Sequence, residues 1–418
     1  MNKCNLKQCS KGFGILRVIL SVAIIVAVLA TVAMVYPQVV PDKMASIKPS
    51  LAPLPPEMSI EDKVETILNR MSDEEKVGQL LIIGIDNTEV DENALTMLRK
   101  YHISGITFFD RNMDNPGQVA RLSNALQKEA LKQKSQLPLF ICIDQEGGQV
   151  ARMADKVTVA PSQEKLATSG QIKQATVWAK GTARELKSMG INVNFAPVVD
   201  LGAAYERSYG KDPAQVIAFA RAAAQGYQQE GLLFSLKDFP GIGRTKVDPH
   251  LDPYVIEADK KTLEQEDLAP FRTLIKEMDN QGFFVMVSHL KYLALDEKYP
   301  ASVSELIMTK LLRQELGFQG LIVTDDMEMG ALTKLYSFEQ MGYLAVKAGA
   351  DQLLVCHDST HQIAVYNGIL EAVRAGQLDQ TTLDNAVRRV IKVKLQQVRY
   401  TRVDPETATH IVGKGYTI

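Results

Sequence analysis

The sequence predicts an α/β protein built as one (β/α)8 TIM-type barrel, and three observations point there. Eight short apolar runs recur between residues 79 and 358. Most are separated by stretches with apolar residues at three- and four-residue steps, the spacing of an amphipathic helix. The runs themselves are apolar throughout rather than alternating, as expected of parallel strands covered on both faces. Eight such strands close one barrel; an open, doubly wound sheet is the alternative reading.

Taken in order, the chain of 418 residues begins with Lys3, Lys7, Lys11 and Arg17. "VILSVAIIVAVLATVAMVY" follows, an uncharged run of 19 residues at 18–36. That length crosses a bilayer as a helix, and the basic flank assigns residues 1–17 to the cytoplasm and everything after Pro37 to the outside. An uncleaved transmembrane anchor is expected, with a cleaved signal peptide as its rival because "ATVA" offers small residues for cutting. Residues 37–58 carry Pro37, Pro41, Pro49, Pro53, Pro55 and Pro56 and read as a semi-extended tether.

The barrel domain is expected over 59–400. Its strands are read at "QLLIIGI" (79–85), "GITFF" (105–109), "LPLFICID" (137–144), "INVNFAPVVD" (191–200), "LLFSLKDF" (232–239), "GFFVMVSHL" (282–290), "GLIVTDDM" (320–327) and "DQLLVCHD" (351–358). "PAQVIAFARAAAQGYQQEG" and "SVSELIMTKLLRQELGFQG" are the clearest helices, each closed by glycine. A basic helical stretch over 361–400 closes the outer ring, and 401–418 reads as a loose tail.

Composition narrows the function classes. With a formal net charge of -2 and no basic run beyond the N-terminus, nothing marks a nucleic-acid partner. Four cysteines do not make a disulfide framework; Cys142 and Cys356 sit in strand-like runs and behave as small hydrophobes. "GIG" before "RTK" lacks the third glycine of a dinucleotide fingerprint. His250, His289 and His357 are spread over different strands without paired spacing, so no metal site is expected. A monomer is expected.

The strand ends carry the functional signal. They bring Asp144 with Glu146, Asp200, Lys237 with Asp238, His289, Asp325 with Asp326, and His357 with Asp358 to one rim, the rim that carries chemistry in this fold. Asp325 is read as pointing into the mouth as a nucleophile, and Asp326 as facing elsewhere, to cap the next helix. Asp248 and His250, two apart in an extended loop, project the same way. A carboxylate beside an imidazole favours the protonated ring, a proton donor that can return as a base.

"ICIDQEGGQVARM", "INVNFAPVVD", "RSYGKDP", "LKDFPGIGRTKVDPH", "SHLKYLALDEKYPASVS" and "LGFQGLIVTDDMEMGAL", in this order, resemble glycoside hydrolase family 3. The bacterial β-N-acetylglucosaminidase branch looks nearest. The likeness covers about residues 60–400 and implies a retaining mechanism through a covalent glycosyl-enzyme. It implies Asp325 as nucleophile, an Asp248–His250 dyad as acid and base, and Asp144 as acceptor for sugar hydroxyls. Arg152, Arg207, Lys237 and His289 match residues that line or support the sugar subsite, and no cofactor is implied. The substrate so implied is a glycan ending in N-acetylglucosamine, from peptidoglycan or chitooligosaccharides, met on the outer side of the membrane. A β-glucosidase or phosphorylase-like activity and a weakly catalytic glycan-binding protein remain alternatives. The family pattern K-H-F-P-G-H-G is altered here: Asp238 and Ile242 replace the two histidines, and Pro249 separates Asp248 from His250.

Overall fold

The computed structural model describes residues 58–248 and 250–416. The expected cytoplasmic segment, the anchor at 18–36 and the tether up to residue 57 lie outside the described residues, as does Pro249. Among the described residues no helix is long and apolar enough to cross a membrane.

In chain order the strands are β1 (Leu81–Gly84), β2 (Gly105–Phe108), β3 (Phe140–Ile143), β4 (Val193–Asn194), β5 (Leu233–Phe239), β6 (Val255–Ile256), β7 (Phe283–Val287), β8 (Lys291–Tyr292), β9 (Leu321–Asp326) and β10 (Gln352–Val355). All but β6 and β8 close a barrel in the order β1-β10-β9-β7-β5-β4-β3-β2. Every barrel pair is parallel. Each of the eight apolar runs contains one barrel strand, and closure rules out the doubly wound sheet. β6 and β8 form a separate parallel pair.

Side chains alternate across each strand, so every second residue fills the barrel. Ile82, Phe140, Cys142, Val193, Phe195, Leu233, Phe284, Met286, Leu321, Val323 and Leu354 make that interior. Their neighbours, such as Ile83, Ile141, Phe234, Val285 and Ile322, pack under the helical ring in a second, larger cluster. Inside, the Phe140 and Phe284 rings meet edge to face with centroids 5.4 Å apart, an arrangement that suits the ring quadrupoles.

Local signals start and stop the helices of the ring. Asn115 caps Pro116–Ala130 and Asp212 caps Pro213–Gln229, each followed by proline at the first helical position. Gly349, in the left-handed region at φ 117°, ends Phe338–Ala348. The helices Ser359–Arg374 and Gln380–Gln397 complete the ring.

One expectation about the chain's end is corrected. The segment read as a loose tail holds a helix, Pro405–Ile411, capped by Asp404 and burying Ala408. Asn124 exchanges two hydrogen bonds with the Val403 backbone, at 2.8 and 3.0 Å. Beyond the helix, Gly413 N–H donates to Glu185 at 3.0 Å, and the Tyr416 ring meets Trp178 edge-on at 5.3 Å. Docked backbone bonds, not position in sequence, decide whether a terminus is loose.

Candidate active site

The alternation that fills the barrel also aims its strand ends. Asp144 continues the inward series Phe140–Cys142, Lys237 continues Leu233–Ser235, and Asp325 continues Leu321–Val323. These three side chains converge on one cavity of about 640 Å³, which Arg152, Arg207, Asp248, His250 and His289 also line. All eight residues singled out from the sequence therefore meet at one site. Its volume lies in the range of clefts that take small molecules.

The floor of the cavity is a charge network. Lys237 Nζ lies 2.8 Å from Asp144 and 2.7 Å from Glu146. Arg207 forks onto Glu146 with Nε and Nη2, both at 2.9 Å, the bidentate geometry that suits a guanidinium. Arg152 Nη2 reaches Asp144 at 3.7 Å. Burial alone would raise both acids, but Lys237, with Arg152 at Asp144 and Arg207 at Glu146, holds them below the usual carboxylate range. Burial likewise disfavours charged Lys237, yet Asp144 and Glu146 outweigh it and push its pKa up. Two ionised acceptors and a fixed ammonium can bind hydroxyl groups without themselves titrating.

Asp325 sits beside this floor, and burial raises its pKa. Its Oδ1 accepts the N–H of Asp326 at 2.8 Å, and the residue lines the cavity. Asp326 departs from its expected role as a helix cap. Its Oδ1 accepts from Cys356 N–H at 3.2 Å and its Oδ2 lies 3.2 Å from His357 Nε2, so it ties the end of β9 to β10. His289 lines the cavity, but both its ring nitrogens are engaged. Nε2 donates to the Asp326 carbonyl at 2.9 Å and Nδ1 accepts from Ser302 at 2.7 Å. Burial lowers its pKa to about 4, which keeps the ring neutral and suits those two roles. His289 thereby holds the β9 end from the back.

The dyad lies on the solvent side. His250 Nδ1 is 2.7 Å from Asp248 Oδ1, which also accepts the His250 N–H at 2.9 Å. The backbone bond, then the ring bond, lowers the Asp248 pKa. The loop rests against the chain after β9, where Gly330 N–H donates to the His250 carbonyl at 2.9 Å. A Cβ on Gly330 would stand 2.2 Å from the Leu251 carbonyl oxygen, so only glycine permits that approach. His250 and Asp325 are brought to one cavity in this way, and Nε2 of the imidazole makes no hydrogen bond to the described residues.

Sequence reasoning brought Glu146 to the rim without giving it a role, and passed over Phe109 and Tyr205, which also line the cavity. Glu146 is the shared partner of Arg207 and Lys237. Its signal was present, two positions after Asp144 in a chain of period two. Asp238, noted as a departure, is buried in the cavity wall with Oδ2 3.7 Å from Arg207 Nη2. Burial raises its pKa to about 6; Arg207 opposes that and the Asp325 charge adds to it. Asp200 lies behind, accepting the N–H groups of Asp238 and Ile242 at 3.2 and 3.1 Å. Burial and then Asp238 raise its pKa far up. Among the described residues no group of three or more His, Cys, Asp or Glu side chains is arranged to hold a metal ion.

Known proteins share this architecture. A family model described as glycosyl hydrolase family 3 N terminal domain matches residues 72–393. A protein named beta-hexosaminidase A from Pseudoalteromonas piscicida is 33% identical over 331 residues, covering 71% of this chain and 54% of its own length. The beta-hexosaminidase of Haemophilus ducreyi is 33% identical over 302 residues, covering 69% of this chain and 85% of that protein. The solved glycoside hydrolase family 3 beta-N-acetylglucosaminidase from Paenibacillus sp. str. FPU-7 superposes with a TM-score of 0.74 at 34% identity, over 83% of this chain and 65% of that one. The chain thus spans about half the length of the Pseudoalteromonas relative and most of the Haemophilus one.

Proposed function

From the premise that this chain belongs to glycosyl hydrolase family 3 and is an enzyme, we propose that it is a retaining β-N-acetylhexosaminidase releasing terminal β-linked N-acetylglucosamine. The observation that carries this reading is the placement of Asp325 and the Asp248-held His250 on one cavity. A floor of ionised acceptors and a lysine completes it, as expected for a polyhydroxylated ligand.

In the first step the Asp325 carboxylate attacks the anomeric carbon while His250 Nε2 delivers its proton to the glycosidic oxygen, and the leaving sugar departs as an alcohol. The neutral imidazole then takes a proton from water, whose oxygen displaces Asp325 from the anomeric carbon. Asp248 holds the ring and offsets its positive charge. No cofactor enters either step.

The substrates that fit are peptidoglycan fragments or chitooligosaccharides, met by a monomer tethered through residues 18–36 with its barrel on the outer side of the membrane. The apolar run and its basic flank support the tether. Intact mass of the protein extracted from membranes tests it, since a cleaved leader removes those residues. Asp325→Ala tests the chemistry. Hydrolysis of an aryl N-acetylglucosaminide should be abolished, and turnover at the wild-type rate overturns the assignment. One observation favours a second reading, a weakly catalytic glycan binder: buried Asp238 places a second acid next to the nucleophile. A 5-fluoro N-acetylglucosaminyl fluoride separates the two, because the enzyme is labelled at Asp325 and the binder is not.

A further inference from the structure

Tyr205 is two-thirds exposed on the rim of the cavity. Its ring makes no hydrogen bond, ion pair or ring contact with the other described residues. Large aromatic side chains usually bury most of their surface, so an idle one at a cavity mouth calls for an explanation.

The backbone beneath it adds a second, independent observation. Tyr205 and Glu206 are consecutive non-glycine residues in the left-handed region, at φ 59° and 58°. Such conformations persist only where the surroundings impose them, and here they do. The Glu206 carboxylate accepts from Ser162 Oγ at 2.7 Å and pairs with Lys165 at 3.2 Å. The Glu206 carbonyl accepts the Glu164 N–H at 3.2 Å. On the other side Arg207 is locked onto Glu146, and Gly202 N–H donates to the Gly210 carbonyl at 2.8 Å. The loop is pinned at both ends while its aromatic ring is presented to the cavity mouth.

Its position selects the occupant. The buried charges of the floor sit at the strand ends, whereas His250, which protonates the bond to be cut, is exposed. The departing half of the substrate lies on the solvent side of that bond, among the exposed lining residues. We propose that Tyr205 is the stacking platform for the leaving sugar, presenting its face to the C–H face of a pyranose ring. It thereby selects glycan leaving groups over small ones. This assignment rests on the glycosidase reading and deepens it.

The test compares chitobiose and chitotriose with N-acetylglucosaminyl fluoride, whose leaving group has no ring, using the full chain. Tyr205→Ala should lower kcat/KM on the oligosaccharides about five- to ten-fold, the range of a single aromatic contact. It should leave fluoride hydrolysis unchanged. Tyr205→Phe and Tyr205→Trp should keep the oligosaccharide rates. Equal losses on both substrates mean that the loop, not the ring, was disturbed and overturn the proposal. No loss on either also overturns it. A wild-type protein that cleaves neither substrate refutes the glycosidase reading itself, a separate outcome.

Discussion

At Asp238 a buried carboxylate has, among the described residues, only Arg207 as its ion-pair partner, at 3.7 Å, and that arginine is already forked onto Glu146. The pKa near 6 has a consequence for stability. The folded value lies above the unfolded one near 3.9, so the native state holds the extra proton between about pH 4 and 6. Stability from this group is present below pH 4 and lost as pH rises through 6. Asp238→Asn should therefore stabilise the protein by about 2 kcal/mol at pH 7 and by almost nothing at pH 4. Urea denaturation at the two pH values checks this, and an equal effect at both refutes it. The same substitution removes a negative charge that faces Asp325, so the acidic limb of kcat/KM should move to lower pH. Much at this scale was legible in the sequence. The strand ends put Asp144, Lys237 and Asp325 at one rim, and Asp325 was read as pointing into the mouth. What strand ends cannot supply is loop geometry: Tyr205 and its left-handed backbone follow from anchors at Ser162, Lys165 and Glu146, which are distant in sequence.

The elements were legible where burial on both faces forces a continuous apolar run, which is true of all eight barrel strands. Their ladder lengths were not. The run at 191–200 yields a strand of two residues, because the Ala196 N–H turns back to the Asn194 carbonyl at 2.9 Å and Pro197 has no N–H to donate. Pairing resumes only as a single bridge from Val198 to Lys237. The helix Pro405–Ile411 escaped notice because it buries little, although Asp404-Pro405-Glu406 is a helix-start pattern. One element junction bears on the proposed chemistry, the contact between the Asp248–His250 loop and the chain after β9. Gly330→Ala would force its new methyl against the Leu251 and His250 carbonyls, at 2.2 and 2.9 Å, and push the loop away. We expect kcat/KM to fall about 10- to 100-fold for alkyl leaving groups, which need the proton. N-Acetylglucosaminyl fluoride, which needs little acid assistance, should lose far less. A uniform loss across both substrates would place the damage at Asp325 instead.

Across the whole molecule, charge is buried at both ends of the barrel. The C-terminal rim gathers paired charges, and the N-terminal end holds both a buried acid, Asp351 between Arg313 and Arg389, and a lysine with no carboxylate partner among the described residues. Lys394, from the helix Gln380–Gln397, is fully buried below Phe140 with Nζ 5.1 Å from the ring centroid. It donates to Gln79 Oε1 at 2.9 Å and to the Ser104 carbonyl at 2.8 Å, an amide and a backbone oxygen rather than a carboxylate. Burial lowers its pKa to about 7. The sign is the reverse of a paired lysine. The unfolded chain keeps the proton up to about pH 10.4 and the folded one only to about 7, so the native state gains stability as pH rises between them. Lys394→Met removes that dependence. The stability difference between wild type and variant should shift by about 2 kcal/mol toward the wild type from pH 7 to pH 9. Chemical denaturation at both pH values measures it, and using the difference cancels every other titrating group. A constant difference would mean that Lys394 stays charged when folded, held by Gln79, Ser104 and the Phe140 face. Because it lies at the end opposite the cavity, kcat/KM at pH 7 should be unchanged in either case.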